Sequence, residues 1–137
     1  MIYITRRERF TAAHKLYQEA WSDEKNKEVF GGCANPNWHG HNYDLFVTVK
    51  GKVDAEHGWI IDLKHLSRII NDKVISKVDH RNLNLDVDFM KGLMASTENV
   101  AIAIWKELDG EIAKHGAKLH CIKLQETENN YVEYYGE

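Results

Sequence analysis

The chain has 137 residues, a formal charge of −3, and 43% hydrophobic and 28% charged residues. This length predicts a single domain over residues 1–137, and the negative charge argues against a nucleic-acid partner. The longest apolar run, Val100 to Trp105, is too short to cross a bilayer, and the charged N-terminal segment does not resemble a signal peptide. We therefore expect a cytoplasmic protein without a membrane partner, and two cysteines are too few for a disulfide scaffold.

The first third of the chain predicts two strands joined by a long connection. Alternating apolar residues from Ile2 to His14 predict a long first strand, although charged residues interrupt the pattern. Residues 16–37 are polar and end in GGCANPN, which predicts a long loop. A clear alternation over about 38–53 predicts the second strand.

The remainder predicts two helices followed by a hairpin. Apolar residues at helical spacing predict a helix at about 63–77, and residues 79–92 are predicted to be irregular. Ser96 or Thr97 can cap a second helix that ends before Gly116, and strands follow at about 118–126 and 130–135. The order ββααββ predicts an α+β fold with an antiparallel sheet and both helices on one face. The open edges of such a sheet favour association between copies.

A group of histidines lies where the two predicted strands approach each other. Two residues apart on a strand, His39 and His41 point the same way, and His14 at the end of the first strand is a third candidate. Three imidazoles with an open fourth position are typical of catalytic zinc, although iron, nickel and copper also accept nitrogen ligands. Ordinary hydrogen-bonded histidines are the competing interpretation.

Other candidate catalytic groups lie both near this pattern and farther along the sequence. Cys33, upstream of the histidine pair, is a possible metal ligand, base or nucleophile. Asp79 and His80 suit proton transfer, since a carboxylate can orient an adjacent imidazole. Glu126 has the parity of the buried positions of its strand, so its carboxylate requires a partner or a ligand.

Six motifs, in order, cover nearly the whole chain: FTAAHKL, CANPNWHGHNY, GWIIDLKHL, DHRNLN, STENVAIAIW and ETENNYVEYYGE. Together they resemble the 6-pyruvoyl tetrahydropterin synthase family, which includes the bacterial 6-carboxytetrahydropterin synthases of the queuosine route. The resemblance implies a tunnelling fold, with a four-stranded antiparallel sheet and two helices on one face. It also implies trimers that form a β-barrel, homohexamers built from two trimers, and active sites at subunit interfaces.

The resemblance further implies roles for individual residues. The substrate is 7,8-dihydroneopterin triphosphate, a small pterin molecule, and the cofactor is Zn²⁺. The implied roles are zinc ligation by His14, His39 and His41, proton abstraction by Cys33, support of proton transfer by Asp79 and His80, pterin anchoring by Glu126, and pocket lining by Thr97 and Glu98.

The resemblance leaves two products open. The long segment from His14 to Cys33 and the five residues between Cys33 and His39 are similar to the 6-pyruvoyl type, whereas GWIIDLKHL and the early first strand are similar to bacterial enzymes. We predict 6-carboxytetrahydropterin plus acetaldehyde, because most bacteria with this fold use it for queuosine. The alternatives are 6-pyruvoyl-tetrahydropterin synthesis, a non-catalytic metal- or pterin-binding oligomer, and another tunnelling-fold enzyme such as an aldolase.

Overall fold

The two longest strands form the centre of the sheet. In the computed structural model, which describes residues 1–137, β1 (Ile2–His14) pairs antiparallel with β2 (His39–Gly51) along its whole length. The register runs from Ile2 opposite Gly51 to His14 opposite His39. Both strands predicted from alternation are therefore confirmed.

Three further strands complete the sheet, in the order β3-β1-β2-β4-β5. They are β3 (Arg81–Asn82), β4 (Lys118–Thr127) and β5 (Asn130–Tyr134). The four longer strands pair antiparallel and confirm the predicted sheet, with β4 and β5 forming the predicted hairpin. The added strand β3 pairs with β1 in parallel over two residues.

Three helical regions accompany the sheet. They are α1 (Asp23–Phe30), α2 (Leu63–Ile70) and α3 (Thr97–Ala113), and α2 continues through a π-helical segment, Asn71–Ile75, into a last turn at Ser76–Val78. The Ser96 hydroxyl accepts a hydrogen bond from Asn99 N at 3.2 Å, which confirms the predicted cap of α3. None of the helices has the length and apolar character needed to cross a membrane.

The core lies between one face of the sheet and helices α2 and α3. It contains alternate residues of the central strands, including Phe10, Tyr43 and Leu45, and the apolar stripes of both helices, including Leu66 and Ile104. Because strand side chains alternate, β1 and β2 direct their histidines toward this same face. The metal-binding candidates therefore lie at the end of the core.

Two parts of the sequence prediction were wrong. Residues 16–37 are not a loop without structure, since they contain α1 and a short 3₁₀ helix, Gly31–Ala34. The predicted irregular segment 79–92 contains β3 and a second 3₁₀ turn, Asp88–Met90. A single buried residue, Asn26, attaches α1 to the preceding chain instead of an apolar stripe.

We expect Asn26→Ala to destabilise the segment 16–37. The Asn26 side chain accepts from Gln18 N at 2.7 Å and donates to the carbonyl oxygens of Gln18 and Ser22 at 3.0 Å each. Loss of these partners should reduce the free energy of unfolding by about 1–3 kcal/mol, measured by urea denaturation. Asn37→Ala is the control, because this exposed side chain makes no hydrogen bond. Equal stability of the two variants would contradict the assignment.

Candidate metal centre and active site

Three imidazole rings converge where β1 ends and β2 begins. The ring centres of His14 and His39 lie 4.5 Å apart, those of His39 and His41 5.0 Å apart, and those of His14 and His41 5.2 Å apart. One ring nitrogen from each histidine lies within 4.8 Å of the other two. The structure thus brings together the three residues that the sequence predicts as metal ligands.

Each of the three histidines has a buried ring nitrogen without a hydrogen-bond partner. His14 Nδ1 lies 2.7 Å from the Ala95 carbonyl oxygen, to which it can only donate, so His14 Nε2 carries the lone pair. His14 Nε2, His39 Nδ1 and His41 Nε2 are buried and lack a hydrogen-bond partner. Unpaired buried polar atoms are costly, and a shared cation would satisfy all three. This donor set fits a divalent transition metal such as zinc.

The surroundings keep these imidazoles in the form that binds metals. Burial is the main cause that lowers the pKa of His14, His39 and His41 from the ordinary value of 6.5. Repulsion between the rings lowers the pKa further, whereas the negative charge of Glu126 raises it. The net effect favours neutral rings, whose lone pairs are free for a cation at neutral pH.

Gly40 permits the close approach of β1 and β2 at the metal centre. A Cβ atom at this position would lie only 3.3 Å from the carbonyl oxygen of Ala12 on the neighbouring strand. The glycine between His39 and His41 therefore serves the backbone packing that brings the two strands together.

Glu126 reaches the same centre from β4. The pairing of β4 with β5 shifts between Gln125 and Thr127, so Glu126 is the extra residue of a bulge, a feature that redirects side chains. Its Oε1 lies 3.0 Å from His41 Nε2, without hydrogen-bond geometry, and its Oε2 accepts a hydrogen bond from the Thr97 hydroxyl. Thr97 is buried and contacts Glu126, whereas Glu98 is exposed and forms no side-chain hydrogen bond or ion pair.

Tyr43 is a buried polar residue that the sequence analysis did not select. Its ring stacks on Phe10 at 4.8 Å and lies 5.7 Å from the His41 ring, while its hydroxyl is buried without a partner. Burial, followed by the charge of Glu126, raises the Tyr43 pKa far above its ordinary value, so the hydroxyl stays protonated. Its parity with His39 and His41 is the sequence signal that identifies it.

Asp79 and His80 lie on the far side of β1 from β2. Asp79 accepts from Thr11 N at 2.9 Å, and His80 N donates to the Thr11 carbonyl at 2.7 Å. The backbone hydrogen bond from Thr11 is the main cause that lowers the Asp79 pKa. Asp79 also lines a cavity of about 590 Å³ together with His41 and Glu126.

His80 forms a close pair with Asp79 but projects outward. Its Nδ1 lies 3.1 Å from the Asp79 carboxylate, and its side chain is 81% exposed. Its backbone φ of +59° is uncommon for a residue with a side chain. The structure thus brings Asp79 to the cavity and leaves the His80 ring in the open.

Cys33 lies in the 3₁₀ helix that precedes β2 and is partly buried. Its carbonyl oxygen accepts from Leu16 N at 2.8 Å, which attaches this helix to the chain just after His14. Its sulfur is outside the three-histidine cluster. The thiol therefore lies on the connection between β1, which ends at His14, and β2, which begins at His39.

Comparisons with known proteins agree with this geometry. The profile of the 6-pyruvoyl tetrahydropterin synthase family matches residues 3–137. The chain is 42% identical to the 6-pyruvoyl tetrahydrobiopterin synthase of Dictyostelium discoideum over 136 residues, which cover 99% of this chain and 97% of that protein. The Caenorhabditis elegans 6-pyruvoyl tetrahydropterin synthase structure superposes with a TM-score of 0.92 at 39% identity, covering 99% of this chain and 96% of that one.

A relative with a different product name is more distant. An Archaeoglobus fulgidus protein with the provisional name 6-carboxy-5,6,7,8-tetrahydropterin synthase is 33% identical over 95 residues, which are 69% of this chain and 73% of that protein. The profile match, the full-length relatives and the shared fold together show that this chain belongs to the 6-pyruvoyl tetrahydropterin synthase family.

Proposed function

We propose that the protein is a zinc-dependent 6-pyruvoyl-tetrahydropterin synthase that acts on 7,8-dihydroneopterin triphosphate. The observation that carries this proposal is the buried cluster of three histidines with unpaired nitrogens, next to the carboxylate of Glu126. A metal centre beside an acceptor for a pterin ring matches the chemistry of this family, of which the chain is a member.

The comparisons favour the 6-pyruvoyl product over the 6-carboxy product that we predicted from the sequence. Relatives named 6-pyruvoyl synthases align over nearly all of the chain at about 40% identity, whereas the relative named for the 6-carboxy product aligns over 69% of it. The five residues between Cys33 and His39 also support this choice. The reaction then ends with loss of triphosphate and internal redox rearrangement of the side chain.

The zinc requirement is supported by the donor set. His14, His39 and His41 would hold the ion, which leaves a fourth position for the substrate. When bound, the ion supplies Lewis-acid chemistry that acidifies the substrate's side-chain hydroxyls.

The protein groups then divide the remaining tasks. The Glu126 carboxylate can accept two N–H groups from the pterin edge, an arrangement that fixes orientation, and the Thr97 hydroxyl holds this carboxylate in place. Cys33 is assigned as the base that removes a carbon-bound proton. Asp79, which its hydrogen bond from Thr11 keeps ionised, orients the His80 ring for proton transfer.

We further propose that the protein forms a homohexamer of two trimers with interface active sites. The edge of β5 is unpaired, and β1 pairs with β3 only at Ala12 and Ala13, so most of its outer edge is free. Pairing of one edge with the other edge of the next copy is a head-to-tail contact of the kind that generates rings. The exposed His80 ring supports an active site completed by a neighbouring copy.

We expect His41→Ala to lose the metal, because two imidazoles hold zinc poorly. Metal content of the purified protein, measured by mass spectrometry, should fall from one zinc per chain to a small fraction. His57→Ala is the matched control, since His57 pairs with Asp54 at an exposed position outside the cluster. Stoichiometric zinc in His41→Ala would contradict the ligand assignment.

We expect Cys33→Ala to retain zinc and fold but to lower kcat at least about 100-fold, as removal of a general base does. Wild type should convert 7,8-dihydroneopterin triphosphate to 6-pyruvoyl-tetrahydropterin and triphosphate, identified by mass. Cys121→Ala, which removes the other thiol, should retain turnover. Acetaldehyde in the mixture would identify the 6-carboxy product instead, and no consumption of substrate by the zinc-loaded protein would contradict the proposed activity.

We expect Glu126→Gln to weaken binding of neopterin about 10- to 100-fold, because hydrogen bonds to a charged group contribute about 1.5–3 kcal/mol. Fluorescence titration measures the dissociation constant. Glu128→Gln is the control, since Glu128 lines the same cavity but is exposed. Unchanged neopterin affinity in Glu126→Gln, with zinc content intact, would contradict the assignment of Glu126 as the pterin anchor.

A further inference from the structure

A second cavity, of about 710 Å³, lies beside the segment that carries Cys33. Its wall includes Gly32 and Ala34, the two neighbours of Cys33 in the chain. It also includes Lys15, which directly follows the metal-ligand candidate His14. The cavity therefore borders both the thiol-bearing segment and the end of β1, and none of the roles proposed above uses it.

The charged groups of this cavity carry a net positive charge. Lys15 and Lys27 contribute two ammonium groups, and Asp23 contributes one carboxylate. Neither lysine takes part in any ion pair of the structure. Asp23 already accepts a hydrogen bond from the Tyr17 hydroxyl. The arrangement leaves two cations free for an anionic ligand.

Aromatic rings, instead of a carboxylate, hold the Lys15 ammonium. Its Nζ lies 4.4 Å from the ring centre of Trp38 and 4.9 Å from that of Tyr17, distances at which the ring faces attract a cation. Trp38 has φ of +68°, a left-handed conformation that a bulky residue rarely adopts. This unusual conformation places an indole under the ammonium, one residue before His39.

Hydrogen bonds also fix the backbone of Lys15. Lys15 N donates to Asn84 Oδ1 at 3.1 Å, and Asn84 Nδ2 donates to the Lys15 carbonyl oxygen at 3.1 Å. The next residue, Leu16, donates its N–H to the carbonyl of Cys33. These bonds join the Lys15 backbone to Asn84 and to the Cys33 segment.

We propose that this cavity binds the phosphate chain of the substrate, with Lys15 as its principal contact. The proposal rests on the proposed function, which supplies a substrate with a phosphate chain as leaving group. When the carbon–oxygen bond to that chain breaks, the bonding electron pair leaves with the phosphate oxygen. The base takes a proton from the neighbouring carbon, and the electron pair of that carbon–hydrogen bond forms the new carbon–carbon double bond. An ammonium group beside the departing oxygen stabilises the added negative charge.

The cavity beside Glu126 is less suited to phosphate. Arg7 and Arg9 line it, but both pair with the Asp44 carboxylate, at 2.9 Å and 3.1 Å. The same cavity is lined by four carboxylates, those of Asp44, Asp79, Glu126 and Glu128. An excess of negative charge repels a phosphate chain. The proposal therefore places the pterin ring in the cavity beside Glu126 and the phosphate chain in the cavity beside Lys15.

The test compares two pterins that differ only in phosphate. Neopterin triphosphate and neopterin are titrated by fluorescence into zinc-loaded wild type, Lys15→Gln, Lys15→Arg and Lys25→Gln. Both ligands are oxidised pterins, so the titration measures binding without turnover. Lys25 is the matched control, because its Nζ lies 4.3 Å from the Trp21 ring but it does not line the cavity.

We expect wild type to bind neopterin triphosphate at least about tenfold more tightly than neopterin. Lys15→Gln should reduce this preference about five- to tenfold, with unchanged zinc content and unchanged affinity for neopterin. Lys15→Arg should restore most of the preference, and Lys25→Gln should behave as wild type. The preference should also decline with added salt in wild type.

Three results would overturn the proposal: no preference for the phosphorylated pterin in wild type, an undiminished preference in Lys15→Gln, or an equal loss of affinity for both pterins in that variant. Turnover of dihydroneopterin triphosphate by wild type with any of these results would reject the phosphate site alone. If neither pterin binds, the proposed function fails. Calorimetric titration of wild type and Lys15→Gln with inorganic triphosphate then decides the phosphate site independently.

Discussion

The antiparallel register of β1 and β2 is the constraint on which the metal centre depends. Burial of Phe10 and Tyr43 on the helix-covered face sets this register, because a slip of one residue would turn every buried side chain of a strand toward the opposite face. The same register places His14 opposite His39 and directs both rings to the core side. Hydrophobic burial along the strands therefore positions the ligands at their ends, with no separate loop to hold them.

This coupling explains why much of the fold and the metal centre could be predicted from the sequence. Alternation is a local signal, so the long strands and the common face of His39 and His41 follow directly from it. Helix α1 lacks such a signal, because its one buried residue is the polar Asn26 and its stability depends on hydrogen bonds to Gln18 and Ser22. Strand β3, with two residues, is too short for any periodic pattern to reveal it.

The contacts that the sequence could not predict join distant segments of the chain. Thr97 was selected as a pocket residue, yet its hydroxyl contacts the Glu126 carboxylate, which a bulge between Gln125 and Thr127 brings within reach. A bulge is a property of strand pairing, and parity alone does not locate it. The hydrogen bond between Asp79 and Thr11 likewise joins residues far apart in sequence, so the hydrogen-bonded environment of Asp79 emerges only from the folded chain.

The two halves of the proposed site are held by different forces. The three histidines and Glu126 extend from strands that pack in the apolar core, so their positions depend on that packing. Cys33 and Lys15 are held by polar contacts instead, through the bond between Leu16 and Cys33 and the Asn84 side chain. Hydrogen-bonded surface segments open at lower free energy than core strands. The metal ligands therefore form the more rigid half of the proposed site, and the groups assigned to the proton and the phosphate chain form the less rigid half.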